Sequence, residues 1–436
     1  MKHRVQPVNR LSGDIFPPSD KSVSHRAAIL NSLAQGEAVI ENYSGGADCQ
    51  STLKCLRAMG VVAENITTTR SEFGTHSLRI ISPGLERFSE PREILNAGNS
   101  GTTMRFLLGV LAAAPFVSVL TGDRSLRTRP MGRIVHPLME MGCDIMGRQG
   151  GSLAPIAVRG GSLHGIDYEM PVPSAQVKSS LIIAGLFGDG STILKQRSHS
   201  RDHTERMLDA MGASLVEDDL VVEVRPGATL KPVNVTVSGD ISSAAFWLVA
   251  SAVHPDSRVQ LRNVGINPTR SEIIDILKAM GAKIRIENRH IEGGEPVADL
   301  FIESSELTGV EISGDQIPIV QDEVPILALA ACFAKGTTII RDAAELRVKE
   351  SDRLLTTAKE LSRLGAHIRE TDDGLVIEGT GYLNGGSCRS YGDHRLAMTL
   401  GVAGLVAKND VVISGSEAVN VSYPDFWNDM DTLTTN

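Results

Sequence analysis

The chain has 436 residues, about three times the ~150 typical of one domain, so two or three cores are expected without any stabilising staple. Apolar residues make up 42% and charged residues 22%, and the net charge of -9 excludes a general nucleic-acid or anionic-membrane surface, so any anion site must be a local cluster of cations. Five cysteines (Cys49, Cys55, Cys143, Cys332, Cys388) with no C-x-x-C spacing, a start lacking an apolar signal core, and apolar stretches such as 397–407 that are too short to span a bilayer predict a cytoplasmic protein.

In chain order, a strand-like opening over 5–16 is followed by two helix types that alternate to the C-terminus. One type is rich in Ala and Leu, apolar on most faces, and expected near 22–34, 102–114, 176–187, 242–253, 323–334 and 394–407. The other ends in a Leu-x-x-(Met/Leu)-Gly-small pattern, which occurs as LRAMGV at 56, LMEMGC at 138, LDAMGA at 208, LKAMGA at 277 and LSRLGA at 361. Glycine there reads as a helix stop, and alternating residues such as Leu220–Val224 follow as strands. Six units of helix, strand and helix with a closing strand pair result, and the last of them lacks its closing strands. The opening segment is therefore expected to complete it, giving a domain of 1–20 plus 238–436 beside one of 21–237, with two chain crossings that act as a hinge.

The polar motifs fall at or just before helix starts, where unpaired N–H groups and the positive end of the dipole favour anions. They are PSDKSVSHR (18–26), GNSGTTMR (98–105), RSLRTRPMGR (124–133), PSAQVKS (173–179), RSHSRDHTER (197–206), NPTRSE (267–272), RVKESDR (347–353) and GDHR (392–395). Arginine forks and hydroxyl donors at such places suit phosphate and carboxylate. A Ser or Asp at a helix start also serves as a plain cap, so no single motif decides. His199 and His203 are four apart but lack a third ligand, and no metal is assigned. The phosphate loops of common nucleotide folds and the nucleophile elbow of hydrolases are missing from the sequence.

Taken together, DKSxSHR, GNSGTTMR, RPMGR, SAQVKS, RVKESDR and GDHR resemble the 5-enolpyruvylshikimate-3-phosphate synthase family over essentially the full length. The resemblance implies an α/β fold with mixed sheets (α+β in strict usage): a two-domain inverse α/β barrel of six βαβαββ repeats, three per domain. The active site would lie in the cleft between domains. It implies an enolpyruvyl transferase of the shikimate pathway to chorismate and aromatic amino acids, acting on shikimate-3-phosphate and phosphoenolpyruvate as a cytoplasmic monomer, with no metal or organic cofactor, nucleic acid or membrane. SAQVK, RDHTE and NPTR are similar to a class often tolerant of the inhibitor glyphosate. Ser19, however, stands where that class usually has Gly, and Gly101 leaves open the space a side chain would take from the inhibitor, so tolerance is undecided. Val421 stands where other members carry a phosphoenolpyruvate-contacting Lys.

By the same resemblance, Lys21, Ser22, Arg26, Ser174, Ala175, Gln176, Arg201, Asp322 and Lys349 hold shikimate-3-phosphate, with Arg201 and Ser174 at its phosphate. Phosphoenolpyruvate is held by Lys21, Asn99, Gly101, Arg129, Gln176, Arg353, His394 and Arg395. Two polyanions brought together need cations between them, which explains clustered arginines in an acidic chain. The reaction protonates the phosphoenolpyruvate methylene, passes through a tetrahedral ketal and expels phosphate. Glu350, between Lys349 and Arg353, is the candidate acid, Asp322 the candidate base for the 5-hydroxyl, and Lys21 is able to serve either end. Two alternatives are a sister transferase acting on UDP-N-acetylglucosamine, for which a cysteine is expected in the RSLRTRPMGR region and is not found there, and a non-catalytic anion binder, which would not need two carboxylates near anions.

Overall fold

The computed structural model describes residues 1–66 and 77–434. The chain divides into two compact units, one of Met1–Pro18, Ser238–Ile291 and Pro296–Asn436, the other of Ser19–Val237 with Glu292–Glu295. Each has its own apolar core.

Within the Ser19–Val237 unit the strand Leu95–Asn96 pairs in parallel with Val117–Thr121, which pairs antiparallel with Leu153–Arg159, which in turn pairs antiparallel with Asp144–Arg148. The sheet ordered Asp167–Glu169, Thr192–Lys195, Val221–Arg225, Ser214–Asp218 repeats this plan, as does Val235–Thr236, Gln35–Glu41, Ser77–Pro83, Val62–Ile66. The other unit carries Leu11–Ile15 parallel to Ser257–Gly265, Glu311–Ile312 parallel to Thr337–Ile340, and Gly386–Arg389 parallel to Val411–Ser414 as the corresponding starts. Six small mixed sheets result among the described residues.

The opening segment is not one strand. Lys2–Val5 pairs antiparallel with Val411–Ser414 and completes the last sheet, whereas Leu11–Ile15 opens a different one. Pro7, with no N–H to donate, interrupts the ladder, and Val8 N–H turns to the Leu405 carbonyl at 3.2 Å.

The Leu-x-x-Met-Gly pattern is a chain reversal. Gly60, Gly142, Gly212, Gly281 and Gly365 all have φ between 84° and 103°, where a Cβ is strained. In every copy the residue after the glycine returns its N–H to the carbonyl of the pattern's Leu: Val61 to Leu56, Cys143 to Leu138, Ala213 to Leu208, Ala282 to Leu277 and Ala366 to Leu361, at 2.8–3.2 Å. This closing bond satisfies a terminal carbonyl and turns the chain into the next strand.

The six apolar helices are Lys21–Leu33, Gly101–Ala113, Ala175–Gly185, Ile241–Val253, Val324–Phe333 and His394–Val406. They are buried along nearly their whole length, as helices apolar all round must be. The helices Ala47–Ala58, Gly132–Glu140, His203–Ala210, Glu272–Ala279 and Arg353–Arg363 bury one face only. No described helix is long and apolar enough to cross a membrane.

Candidate active site

In the Ser19–Val237 unit three apolar helices begin with side-chain caps that fix where the site residues start. Asp20 Oδ1 accepts from Val23 N at 2.9 Å, Ser100 Oγ from Thr103 N at 3.1 Å, and Ser174 Oγ from Val177 N at 3.4 Å. The capping reading of these residues holds, and Ser174 keeps its own O–H as a donor.

Side chains then lace the three helix starts together. Arg105 Nη1 donates to Gln176 Oε1 at 2.5 Å and Gln176 Nε2 donates to Thr102 Oγ1 at 2.9 Å, tying the Gly101 helix to the Ala175 helix and fixing which end of the Gln176 amide faces which way. Arg26 Nε donates to Thr204 Oγ1 at 2.7 Å and its Nη2 to Ser179 Oγ at 3.3 Å, and it lies over the Phe106 ring. Burial pushes its pKa down to about 10, opposed by Glu205, so it remains a cation at neutral pH. His25 Nδ1, Thr52 Oγ1 and Thr103 Oγ1 form a chain with both steps at 2.7 Å, and burial takes the His25 imidazole down to about 3, keeping it neutral. This chain joins the Lys21 helix to the Gly101 helix.

Lys21 Nζ donates to Asp48 Oδ2 at 3.1 Å. Asn99 bridges two elements, donating to Asp123 at 2.6 Å and accepting from Arg129 Nη2 at 2.6 Å. A Cβ placed on Gly101 would lie 3.1 Å from Arg105 Nη1 and 3.4 Å from Arg129 Nη1, so the missing side chain is what lets two guanidinium groups approach that helix start. Of the residues named from the sequence, Arg26 and Gln176 therefore tie helices of this unit together directly, Asn99 and Arg129 bond each other, and Lys21 bonds Asp48. Arg201 follows Ser200, whose carbonyl accepts from Lys178 Nζ at 3.2 Å. His199 lies 3.3 Å from Asp219 and His203 2.9 Å from Glu295, so the two imidazoles face different carboxylates.

The other unit carries the carboxylates. Arg353, at the start of its helix and 2% exposed, reaches Asp322 Oδ1 at 3.1 Å, Glu350 Oε2 at 2.8 Å and Asp393 Oδ2 at 2.9 Å. Burial alone would lower its pKa, but Asp393, Glu350 and Asp322 raise it overall, so the guanidinium stays charged. Asp393 is fully buried, and Arg353 outweighs the burial and holds its carboxyl below the usual range; it also accepts from Ser351 Oγ at 3.0 Å and caps the His394 helix through Arg395 N at 2.9 Å. Asp322 and Glu350 keep 21% and 23% of their side chains exposed, so both are held yet reachable. Arg395 donates to the Ser242 carbonyl at 2.8 Å, and Arg270 donates to Ser242 Oγ at 2.6 Å and to Asp240 at 3.2 Å. Ser242 Oγ in turn donates to Glu323, whose carboxyl burial pushes up.

Sequence reasoning gave no role to Asp48, Arg105, Lys178, Glu205 or Asp393. Arg105, Lys178, Glu205 and Asp393 stand inside motifs already singled out, and Arg105 is one turn beyond Gly101 on the same helix face. Asp48 carried no local signal.

The family model described as EPSP synthase (3-phosphoshikimate 1-carboxyvinyltransferase) matches residues 5–430. The chain belongs to the EPSP synthase family. It is 51% identical over 433 residues to the 3-phosphoshikimate 1-carboxyvinyltransferase of Desulforudis audaxviator, covering 99% of both chains. It is 52% identical over 424 residues to that of Gloeobacter violaceus, covering 97% of this chain and 96% of the relative. Its fold is similar to the EPSP synthase of Acinetobacter baumannii with a TM-score of 0.88 at 40% identity, covering 99% of this chain and 98% of that one. The chain therefore has the inverse α/β barrel fold of its family. It is a transferase of aromatic amino-acid biosynthesis that moves the enolpyruvyl group of phosphoenolpyruvate to the 5-hydroxyl of shikimate-3-phosphate and releases phosphate.

Proposed function

We propose that the residues named from the sequence divide this reaction between the two units, with the active site in the cleft of a two-domain chain (21–237 and 1–20 plus 238–436) that closes on its substrates. The linked helix starts around Ser22, Arg26, Ser174, Ala175, Gln176 and Arg201 take shikimate-3-phosphate. Lys21, Asn99, Gly101, Arg129 and Gln176 take phosphoenolpyruvate, joined by Arg353, His394 and Arg395. Asp322 and Lys349 complete the shikimate-3-phosphate set. Paired guanidinium groups beside a helix start with no Cβ in the way suit a phosphate or carboxylate end.

Glu350 delivers a proton to the methylene carbon, Asp322 takes the 5-hydroxyl proton as that oxygen attacks C2, and Lys21 serves either end. The ketal then returns a methyl proton and expels phosphate. The observation that carries this reading is Arg353 gripping Asp322 and Glu350 together, since one guanidinium fork holds both proton-transfer candidates within its span. The protein acts as a cytoplasmic monomer, and Gly101 leaves room at the place where glyphosate would compete with phosphoenolpyruvate.

Phosphate release from phosphoenolpyruvate tests the reading. Release with shikimate-3-phosphate and none with UDP-N-acetylglucosamine is expected, and release with the sugar nucleotide contradicts it. Small-angle scattering should show compaction on adding shikimate-3-phosphate, and an unchanged profile would count against closure.

A further inference from the structure

Among the described residues of the Ser19–Val237 unit, Lys178 and Glu205 form an ion pair buried at both ends. Lys178 sits in the first turn and a half of the Ala175 helix and Glu205 in the first turn of His203–Ala210, with Nζ and Oε1 2.6 Å apart and side chains 2% and 1% exposed. Among the described residues neither Glu205 oxygen accepts an aligned hydrogen bond, so the lysine charge is what compensates it. Removing two ions from water is costly, and two apolar side chains of similar volume would fill the same space at no such cost. Packing alone does not call for this pair.

What an apolar pair could not do is hold a backbone carbonyl. Lys178 Nζ also donates to Ser200 O at 3.2 Å, one residue before Arg201. The residue after Lys178 and the residue before Glu205 make a second tie alongside, Ser179 Oγ to Thr204 Oγ1 at 2.6 Å, and Arg26 Nε donates to the same Thr204 oxygen at 2.7 Å. Two adjacent ties between the same two helices fix their relative rotation as well as their distance. They set the segment bearing Arg201 against the turn bearing Ser174 and Gln176. Glu205 also stands close enough to Arg26 to favour its charged form, so an uncompensated Glu205 would oppose any anion brought to these residues.

We propose that Lys178 and Glu205 are positioning residues for the phosphate end of shikimate-3-phosphate, holding the Ser200–Arg201 backbone in register with the Ser174–Gln176 helix start while cancelling the carboxylate charge behind the phosphate. The inference rests on the assignment of Ser174, Gln176 and Arg201 to that substrate.

The test uses the Lys178→Met/Glu205→Leu double variant of the full chain, because Lys178→Met alone strands a buried carboxylate and can fail to fold. Arg201→Ala is made in both backgrounds. The double variant is expected to unfold cooperatively, to raise KM for shikimate-3-phosphate about tenfold or more and to leave KM for phosphoenolpyruvate within about threefold. Arg201→Ala should cost about thirtyfold in shikimate-3-phosphate KM in the parent and less than about threefold in the double variant, since the two changes disable one arrangement. A parent-like shikimate-3-phosphate KM in the double variant, or an undiminished Arg201→Ala penalty there, overturns the positioning role. An Arg201→Ala variant of the parent chain with unchanged KM overturns the substrate assignment itself, and the inference falls with it.

Discussion

Arg353 holds Glu350 at 2.8 Å through Nη2, three residues back along its own chain, while its other two nitrogens hold Asp322 and Asp393. A guanidinium with a separate nitrogen for each carboxylate does what an ammonium cannot. Arg353→Lys keeps the charge but cannot span all three groups. We expect kcat to fall at least about tenfold, with the thermal midpoint falling several degrees because Asp393 is fully buried and loses part of its compensation. Steady-state kinetics and a thermal melt on the same preparation check both. An unchanged kcat would mean that Arg353 organises the fold and not the reaction.

Gly101→Ala places a methyl group 3.1 Å from Arg105 Nη1 and 3.4 Å from Arg129 Nη1. Both are ends of flexible side chains and the residue is helical, so stability should hold within about 1 kcal/mol. The displaced cations should raise KM for phosphoenolpyruvate several-fold while KM for shikimate-3-phosphate stays near the parent value. Equal rises in both would remove Gly101 from the phosphoenolpyruvate side.

The repeat plan was legible because its punctuation is local. A glycine in the left-handed region, one turn after a Leu whose carbonyl it helps satisfy, leaves the same trace at Gly60, Gly142, Gly212, Gly281 and Gly365. The helix starts that carry the polar motifs were legible for the same reason, since the caps Asp20, Ser100 and Ser174 stand directly before them. Partners were not. Lys21 meets Asp48 from 27 residues away and Arg353 meets Asp393 from 40, pairings set by helix packing that no local pattern encodes. The opening segment misled because Pro7 breaks an alternation that otherwise reads as one strand.

The C-terminal helix Phe426–Thr434 supplies a pH prediction. Trp247 Nε1 donates to Tyr423 Oη at 2.9 Å, which donates to Asp429 Oδ2 at 2.5 Å. Burial pushes the Asp429 carboxyl up to about 6, the Tyr423 bond opposing and Asp425 reinforcing. Its folded pKa therefore lies above the unfolded value near 4, so its contribution is fully present below about pH 4 and is lost as pH rises through 6. Asp429→Asn removes that loss. Between pH 5 and 8 the parent should lose about 1–2 kcal/mol more stability than the variant in urea titrations, and parallel losses would contradict the shift.

All five thiols are buried and burial pushes each up to about 12. Reactivity follows the thiolate, so at pH 7.5 iodoacetamide should leave activity intact over an hour and label every cysteine only after unfolding in urea. Rapid single-site labelling with loss of turnover would point to a working cysteine and to the chemistry of the sister transferase.

Deuterium transfer from D2O into the phosphoenolpyruvate methylene during turnover tests the proton roles most directly, because that carbon must be protonated and deprotonated along the path. In Glu350→Gln, with shikimate-3-phosphate still bound in calorimetry, incorporation and turnover should both fall about a hundredfold or more. Wash-in at the parent rate in that variant would contradict the assignment of Glu350 as the acid.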